Sequence, residues 1–136
     1  MITAVDSSVL IDIFTADADD GPRSGMAFRR ALAEGAVVAC DIVVAEVASY
    51  FADTSHGSSA LRALDVSYHP LSEEAALRAG QAWHAYRSRG GRRQRVIADF
   101  LIGAHALSHA DRLLTRDRGF YRTYFSELII LDPSRL

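Results

Sequence analysis

The chain has no lysine; all 15 of its basic residues are arginine. It has one cysteine, three prolines and one tryptophan in 136 residues. Each scarcity excludes something. A single cysteine, Cys40, rules out an intrachain disulfide, so a reducing compartment is expected. Its place in the run Ala36-Val37-Val38-Ala39-Cys40 reads as core packing. No apolar run approaches the roughly 18–20 residues of a membrane span. The start, Met1-Ile2-Thr3-Ala4-Val5-Asp6, has no basic region ahead of its apolar residues and does not read as a signal peptide. A cytoplasmic protein without a membrane partner is the expectation. Few prolines and no Pro/Gly/Ser linker leave nothing to divide the chain, and residues 1–136 read as one domain. The net charge of −2 neither supports nor excludes a nucleic-acid partner. Arginine in place of lysine is what a GC-rich codon bias gives, and guanidinium still binds phosphate bidentately.

What is present is an alternation of short apolar runs and longer amphipathic stretches. Residues 2–5 predict a buried strand, with Ser7 and Ser8 as N-caps of a short helix carrying Val9, Leu10, Ile13 and Phe14. Asp17–Pro22 has turn chemistry, followed by a helix from about Pro22 to Glu34 that stops at Gly35. A strand over 36–40 precedes a helix capped by Asp41 and running to about Ala52. A short helix at Ser59–Leu64 leads to a strand at Val66–Leu71. Ser72 caps a long helix to about Arg87, ended by Gly90-Gly91, and a further helix spans Val96–His109. Strands at Arg112–Thr115 and Leu128–Leu131 complete the pattern. Strand and helix in alternation predict a parallel α/β sheet covered by helices on both faces.

Two acids stand at strand ends. Asp6 closes the first strand, and Asp117 follows Leu113-Leu114-Thr115 by two residues. Ligand crevices of open α/β sheets lie at the carboxyl ends of the strands, where the strand order reverses. Asp6 and Asp117 share such a crevice if their strands are neighbours. Two further acids, Glu46 and Asp99, sit among apolar residues in the first turns of helices, where a carboxylate is costly to bury without a partner. Each acid has an ordinary reading when taken singly. Asp6 can cap a helix, Asp117 can sit in a turn, Glu46 can face solvent, and Asp99 can pair with Arg95. Together they form the donor set of a hard divalent cation, Mg²⁺ or Mn²⁺ rather than zinc.

The segments Val5-Asp6-Ser7-Ser8-Val9-Leu10, Ala45-Glu46-Val47, Asp99-Phe100-Leu101-Ile102-Gly103-Ala104 and Leu114-Thr115-Arg116-Asp117-Arg118-Gly119-Phe120 resemble the motifs of PIN-domain nucleases. Among these, the chain is most similar to the VapC toxins of bacterial toxin–antitoxin modules. The resemblance runs through nearly the whole chain, in family order. It implies a PIN-like three-layer α/β/α sandwich around a parallel sheet of about five strands. It also implies Mg²⁺-dependent endonucleolytic cleavage of RNA, tRNA or rRNA, by a homodimer held in check by a VapB-type antitoxin. The acidic quartet falls on Asp6, Glu46, Asp99 and Asp117. Ser7 and Thr115 take the hydroxyl positions that orient water or a ligating carboxylate. Ser8 stands where the family often has an amide, and Phe100, Gly103 and His105 replace the more usual small residues of their helix.

Arg92, Arg93 and Arg95, on a glycine-containing loop just ahead of Asp99, and Arg116 beside Asp117 are the candidates for RNA phosphate. Of the histidines, only His105 and His109 have helical ligand spacing. No third soft ligand lies near them in sequence, so no zinc site is expected. Alternatives are a PIN-domain ribonuclease of RNA processing or decay outside any toxin module, and a non-catalytic RNA-binding PIN domain. A phosphotransfer receiver domain, the other α/β fold with clustered acids, needs a lysine that this chain lacks.

Overall fold

The computed structural model of the protein describes residues 1–91 and 97–136. Its centre is a five-stranded, all-parallel sheet in the order β3-β2-β1-β4-β5. The strands are β1 (Ile2–Val5), β2 (Ala36–Ala39), β3 (Val66–Tyr68), β4 (Arg112–Leu114) and β5 (Ile130–Leu131). The helices are α1 (Ser7–Phe14), α2 (Gly21–Glu34), α3 (Asp41–Ala48), α4 (Thr54–Ala63), α5 (Glu73–Ser88), α6 (Ile97–His109) and α7 (Arg118–Tyr124). Right-handed crossovers put α1–α4 on one face, because the chain moves from β1 outward to β3. The return from β3 to β4 and β5 puts α5–α7 on the other. The expected α/β fold with a parallel five-stranded sheet is observed.

The decisive feature is the order at the centre. β1 pairs with both β2 and β4, in the registers Ala4↔Val38 and Ala4↔Leu113. The strand order therefore reverses between β1 and β4, where a crevice opens at the carboxyl ends. The neighbour relation that sequence could only assume is present, and it brings Asp6 beside the Thr115–Asp117 segment.

Parallel strands covered on both faces need apolar side chains on both, and β1, β2 and β4 supply them. Val5, Val37, Leu113 and Leu114 are buried, as is Cys40. Facing β4 across α6 is an aromatic cluster in which Phe100 meets Tyr86, Phe120 and Tyr124 at 5.1–5.6 Å between ring centres. Gly103 belongs to the same contact. A Cβ at that position would lie 2.5 Å from the Phe125 ring, so α6 can approach only as glycine.

Several local expectations change. Asp6, not Ser7 or Ser8, occupies the N-cap position of α1, and both serines lie within the helix. Cys40 holds that position for α3, and Asp41 instead accepts from Leu71 N at 2.7 Å and Tyr68 Oη at 2.8 Å. α3 stops at Ala48, short of Ala52. α4 begins at Thr54 with Asp53 capping it, earlier than Ser59. Gly57 lies inside it, because a Cβ there would meet Ala48 Cα at 2.8 Å. β3 ends before Pro70, and α7 is a helix the sequence reading did not contain. Ser72 caps α5 as expected, accepting from Ala75 N at 3.1 Å.

Candidate active site

β1 ends in Asp6, whose backbone N–H donates to Leu114 O at 2.9 Å and so continues the β1–β4 ladder into the crevice. The side chain is 6 % exposed, and its neighbours are hydroxyls. Thr115 Oγ1 donates to Oδ2 at 2.7 Å, Ser8 Oγ to the same oxygen at 3.3 Å, and Ser7 Oγ approaches Oδ1 at 3.4 Å. Asp6 stands at the N-cap position of α1 but makes no side-chain cap. The ordinary capping reading of this residue therefore fails.

The hydroxyls connect the acids. Ser7 Oγ donates to Glu46 Oε1 at 3.0 Å, which ties the start of α1 to the last turn of α3; Glu46 does not lie in the first turn of its helix, as the sequence led one to expect. Thr115 Oγ1 accepts from Asp117 N at 3.0 Å while donating to Asp6, fixing the turn that carries Asp117 against β1. Asp117 takes the N-cap position of α7 without a side-chain cap. Asp99 is half-buried in the first turn of α6, and α3 packs against both α1 and α6.

Electrostatics bind three of the acids into one group. Burial pushes the Asp6 carboxyl above its ordinary value; the Thr115 hydroxyl opposes this and the charge of Asp99 adds to it. Glu46 is also raised, by burial first, against the bond from Ser7 and with the charges of Asp6 and Asp99. Like charges that raise one another at a buried crevice are relieved by a cation, and the donors here are all oxygen. The set fits a hard divalent ion in donor type and charge.

The sequence-derived quartet thus splits. Asp6, Glu46 and Asp99 act on one another directly, and Asp117 joins through Thr115. Arg92, Arg93 and Arg95 lie outside the described residues. Arg116 does not point freely at the crevice. Its Nε and Nη2 hold Asp12 Oδ2 and Oδ1 at 2.7 and 3.1 Å, and Nη1 lies 3.5 Å from Asp20.

That arginine marks a second acidic group the sequence reading missed. Asp12, Asp17 and Asp20 are the only three acids or histidines among the described residues whose ligand atoms all lie within 4.8 Å of one another. Proximity alone would make them the metal site. Their oxygens are, however, already engaged: Asp12 by Arg116 and Ser24, Asp17 by the backbone N–H groups of Asp19 and Asp20. Two concavities, of about 690 and 430 Å³, are lined by Leu61, Arg62 and Tyr68 and by Arg78, Tyr124 and Phe125, away from both acidic groups.

Comparison with known proteins agrees with this geometry. The family described as PIN domain matches residues 3–126. No curated protein sequence matches the chain. Among solved structures, VapBC-1 from nontypeable Haemophilus influenzae is similar at 19 % identity and a TM-score of 0.74, covering 99 % of this chain and 100 % of that one. A toxin–antitoxin complex from Klebsiella pneumoniae is similar at 21 % identity and a TM-score of 0.64, covering 96 % and 97 %. VapC20 of Mycobacterium tuberculosis, described as a toxin that cleaves the sarcin–ricin loop, is similar at 14 % identity and a TM-score of 0.55, covering 82 % and 86 %. At these identities the likeness is one of fold.

Proposed function

The chain belongs to the PIN-domain family, and from that premise we propose that it is a metal-dependent endoribonuclease, the toxin of a VapBC-type toxin–antitoxin pair. The observation that carries the reading is the pair Asp6 and Glu46, linked by the Ser7 hydroxyl at the strand-order reversal, with the charge of Asp99 acting on both and Asp117 tied to Asp6 by Thr115. The folds of VapBC-1 and VapC20 support the toxin assignment, and the latter supports structured RNA as the substrate class, with tRNA or rRNA the expected targets.

In this reading Asp6, Asp99, Asp117 and Glu46 would hold Mg²⁺, or Mn²⁺ in its place. When bound, the ion would supply charge neutralisation at the transferring phosphoryl group and a lowered pKa for an attacking water. The protein's own part is orientation. Thr115 fixes the rotamer of Asp6 through a 2.7 Å bond, and Ser7 holds Glu46 at the distance the crevice sets. Burial of Asp6 at the foot of the crevice keeps competing water away from one side of the donor set. Arg92, Arg93 and Arg95 are the proposed phosphate contacts. A VapB-type antitoxin as inhibitor and a homodimer as the working assembly complete the proposal.

The test is cleavage of purified tRNA and rRNA pools with Mg²⁺ supplied or chelated, comparing the natural chain with Asp99→Asn. Metal-dependent cutting by the natural chain, lost in the variant, is expected. Equal cutting by both removes the assignment.

A further inference from the structure

Three histidines meet on the side of the molecule where α6 passes β3. His105 and His109 lie on one face of α6, four residues apart. The sequence offers them no third partner, but the fold does. His69, immediately after β3, places its ring 5.2 Å from that of His105 and 4.9 Å from that of His109, and the latter two are 5.5 Å apart. Every pair in the triangle is therefore in ring contact.

We propose that His69, His105 and His109 form a binding site for a zinc-like transition-metal ion, separate from the acidic crevice. Three features carry it. First, His69 Nδ1 and His105 Nε2 face one another at 3.1 Å. Two imidazole nitrogens on a tetrahedral zinc at about 2.0–2.1 Å are roughly 3.3–3.4 Å apart, so the pair needs to open by only a few tenths of an ångström. Second, His105 is 1 % exposed, so the pair sits at the edge of the core, where an ion would be shielded from water on one side. Third, His109 is half-exposed and bonded through Nε2 to Ser72 Oγ at 2.7 Å; as placed, its nitrogens do not lie within 4.8 Å of both partner ligand atoms, so binding requires its side chain to leave Ser72 and turn toward the His69–His105 pair. Water completes the coordination. Asp41 is near enough for its charge to act on His105, while its own oxygens accept from Leu71 N and Tyr68 Oη.

The donor chemistry separates this site from the crevice. Imidazole selects zinc, nickel or copper over magnesium, and carboxylate clusters do the reverse. The ion would join the end of β3 to the later half of α6, so its binding stabilises the fold as well as filling the site. The inference does not rest on the nuclease reading.

The experiment is calorimetric titration of the full chain with Zn²⁺ in a large excess of Mg²⁺, which occupies the oxygen sites, followed by thermal melting with and without Zn²⁺. One Zn²⁺ per chain and a rise in Tm are expected. His69→Gln and His109→Gln, both at half-exposed positions, should each weaken zinc binding by about tenfold or more, with Asp6→Asn keeping it. Co²⁺ in place of Zn²⁺ should give the visible absorption of a tetrahedral nitrogen site, lost in His69→Gln. No zinc binding, or equal zinc affinity in the natural chain and His69→Gln, overturns the proposal and leaves the 3.1 Å contact an imidazole–imidazole hydrogen bond.

Discussion

Helix α1 has carboxylates at both of its ends, and the two ends are solved differently. At the N-terminal end, Asp6 and Glu46 are surrounded by hydroxyls from Ser7, Ser8 and Thr115, and the charges acting on them among the described residues are those of other acids. At the C-terminal end, Asp12, Asp17 and Asp20 lie closer together, but Arg116 is inserted between Asp12 and Asp20. The helix dipole explains part of the difference. Negative charge is favoured at the start of a helix, where Asp6 stands, and opposed near its end, where Asp12 stands, so Asp12 requires a cation of its own. Arginine fills that need within the chain. For the proximal acids the hydroxyls hold geometry without supplying charge. Closeness of carboxylates is thus a poor guide to a metal site, and unanswered charge is the better one.

If that contrast is right, substitutions at the two ends of α1 should have opposite characters. The largest effect is expected for Asp99→Asn or Asp6→Asn, which should lower the rate of RNA cleavage by about 10²–10³-fold while the circular dichroism spectrum is kept. Arg116→Ala should act on stability. It strips the 4 % exposed Asp12 of its bidentate partner. Loss of a buried ion-pair partner costs about 3–5 kcal/mol, discounted here to roughly 1–3 because Arg116 is 40 % exposed and Ser24 still serves Asp12. Urea unfolding measures it. Ser7→Ala removes the hydroxyl shared by Asp6 and Glu46 and should slow cleavage by about tenfold with little change in the melting temperature.

A smaller effect concerns pH. Asp6 and Glu46 both have folded-state values raised above their unfolded ones. Their contribution to stability is therefore fully present below the unfolded values and is lost as pH rises through the folded ones. Mg²⁺, which binds the deprotonated acids, should restore it. The rise in Tm on adding Mg²⁺ is expected to grow with pH above the ordinary carboxylate range, and to flatten in Asp6→Asn. A magnesium effect independent of pH and of Asp6 would place the ion elsewhere.

The sequence made much of this legible, for physical reasons that also mark where it stopped. Asp6 and Asp117 could be placed at strand ends because β1 and β4 are short apolar runs that terminate at them. Their adjacency is a property of strand order, which no local pattern encodes. Glu46 and Asp99 stood out as acids in apolar surroundings, and the structure accounts for both through the packing of α3 between α1 and α6. Contacts over long separations stayed hidden. Arg116 and Asp12 are 104 residues apart, and His69 and His105 are 36 apart. So Arg116 read as a phosphate ligand, and the histidine pair on α6 lacked its third member. Helix α7 was missed because it has seven residues with Gly119 in its first turn, too short for a period to declare itself. Gly103 read as a departure from the family pattern, and Gly57 fell outside the expected helix; both are points of close approach.

The most direct test sets the two ends of α1 against each other in one assay, Mg²⁺-dependent cleavage of RNA by Asp6→Asn and by Asp17→Asn. The account predicts that Asp6→Asn stays about 10²–10³-fold slower at every Mg²⁺ concentration and that Asp17→Asn cleaves like the natural chain with an unchanged Mg²⁺ requirement. Loss of cleavage in Asp17→Asn with activity retained in Asp6→Asn would contradict it.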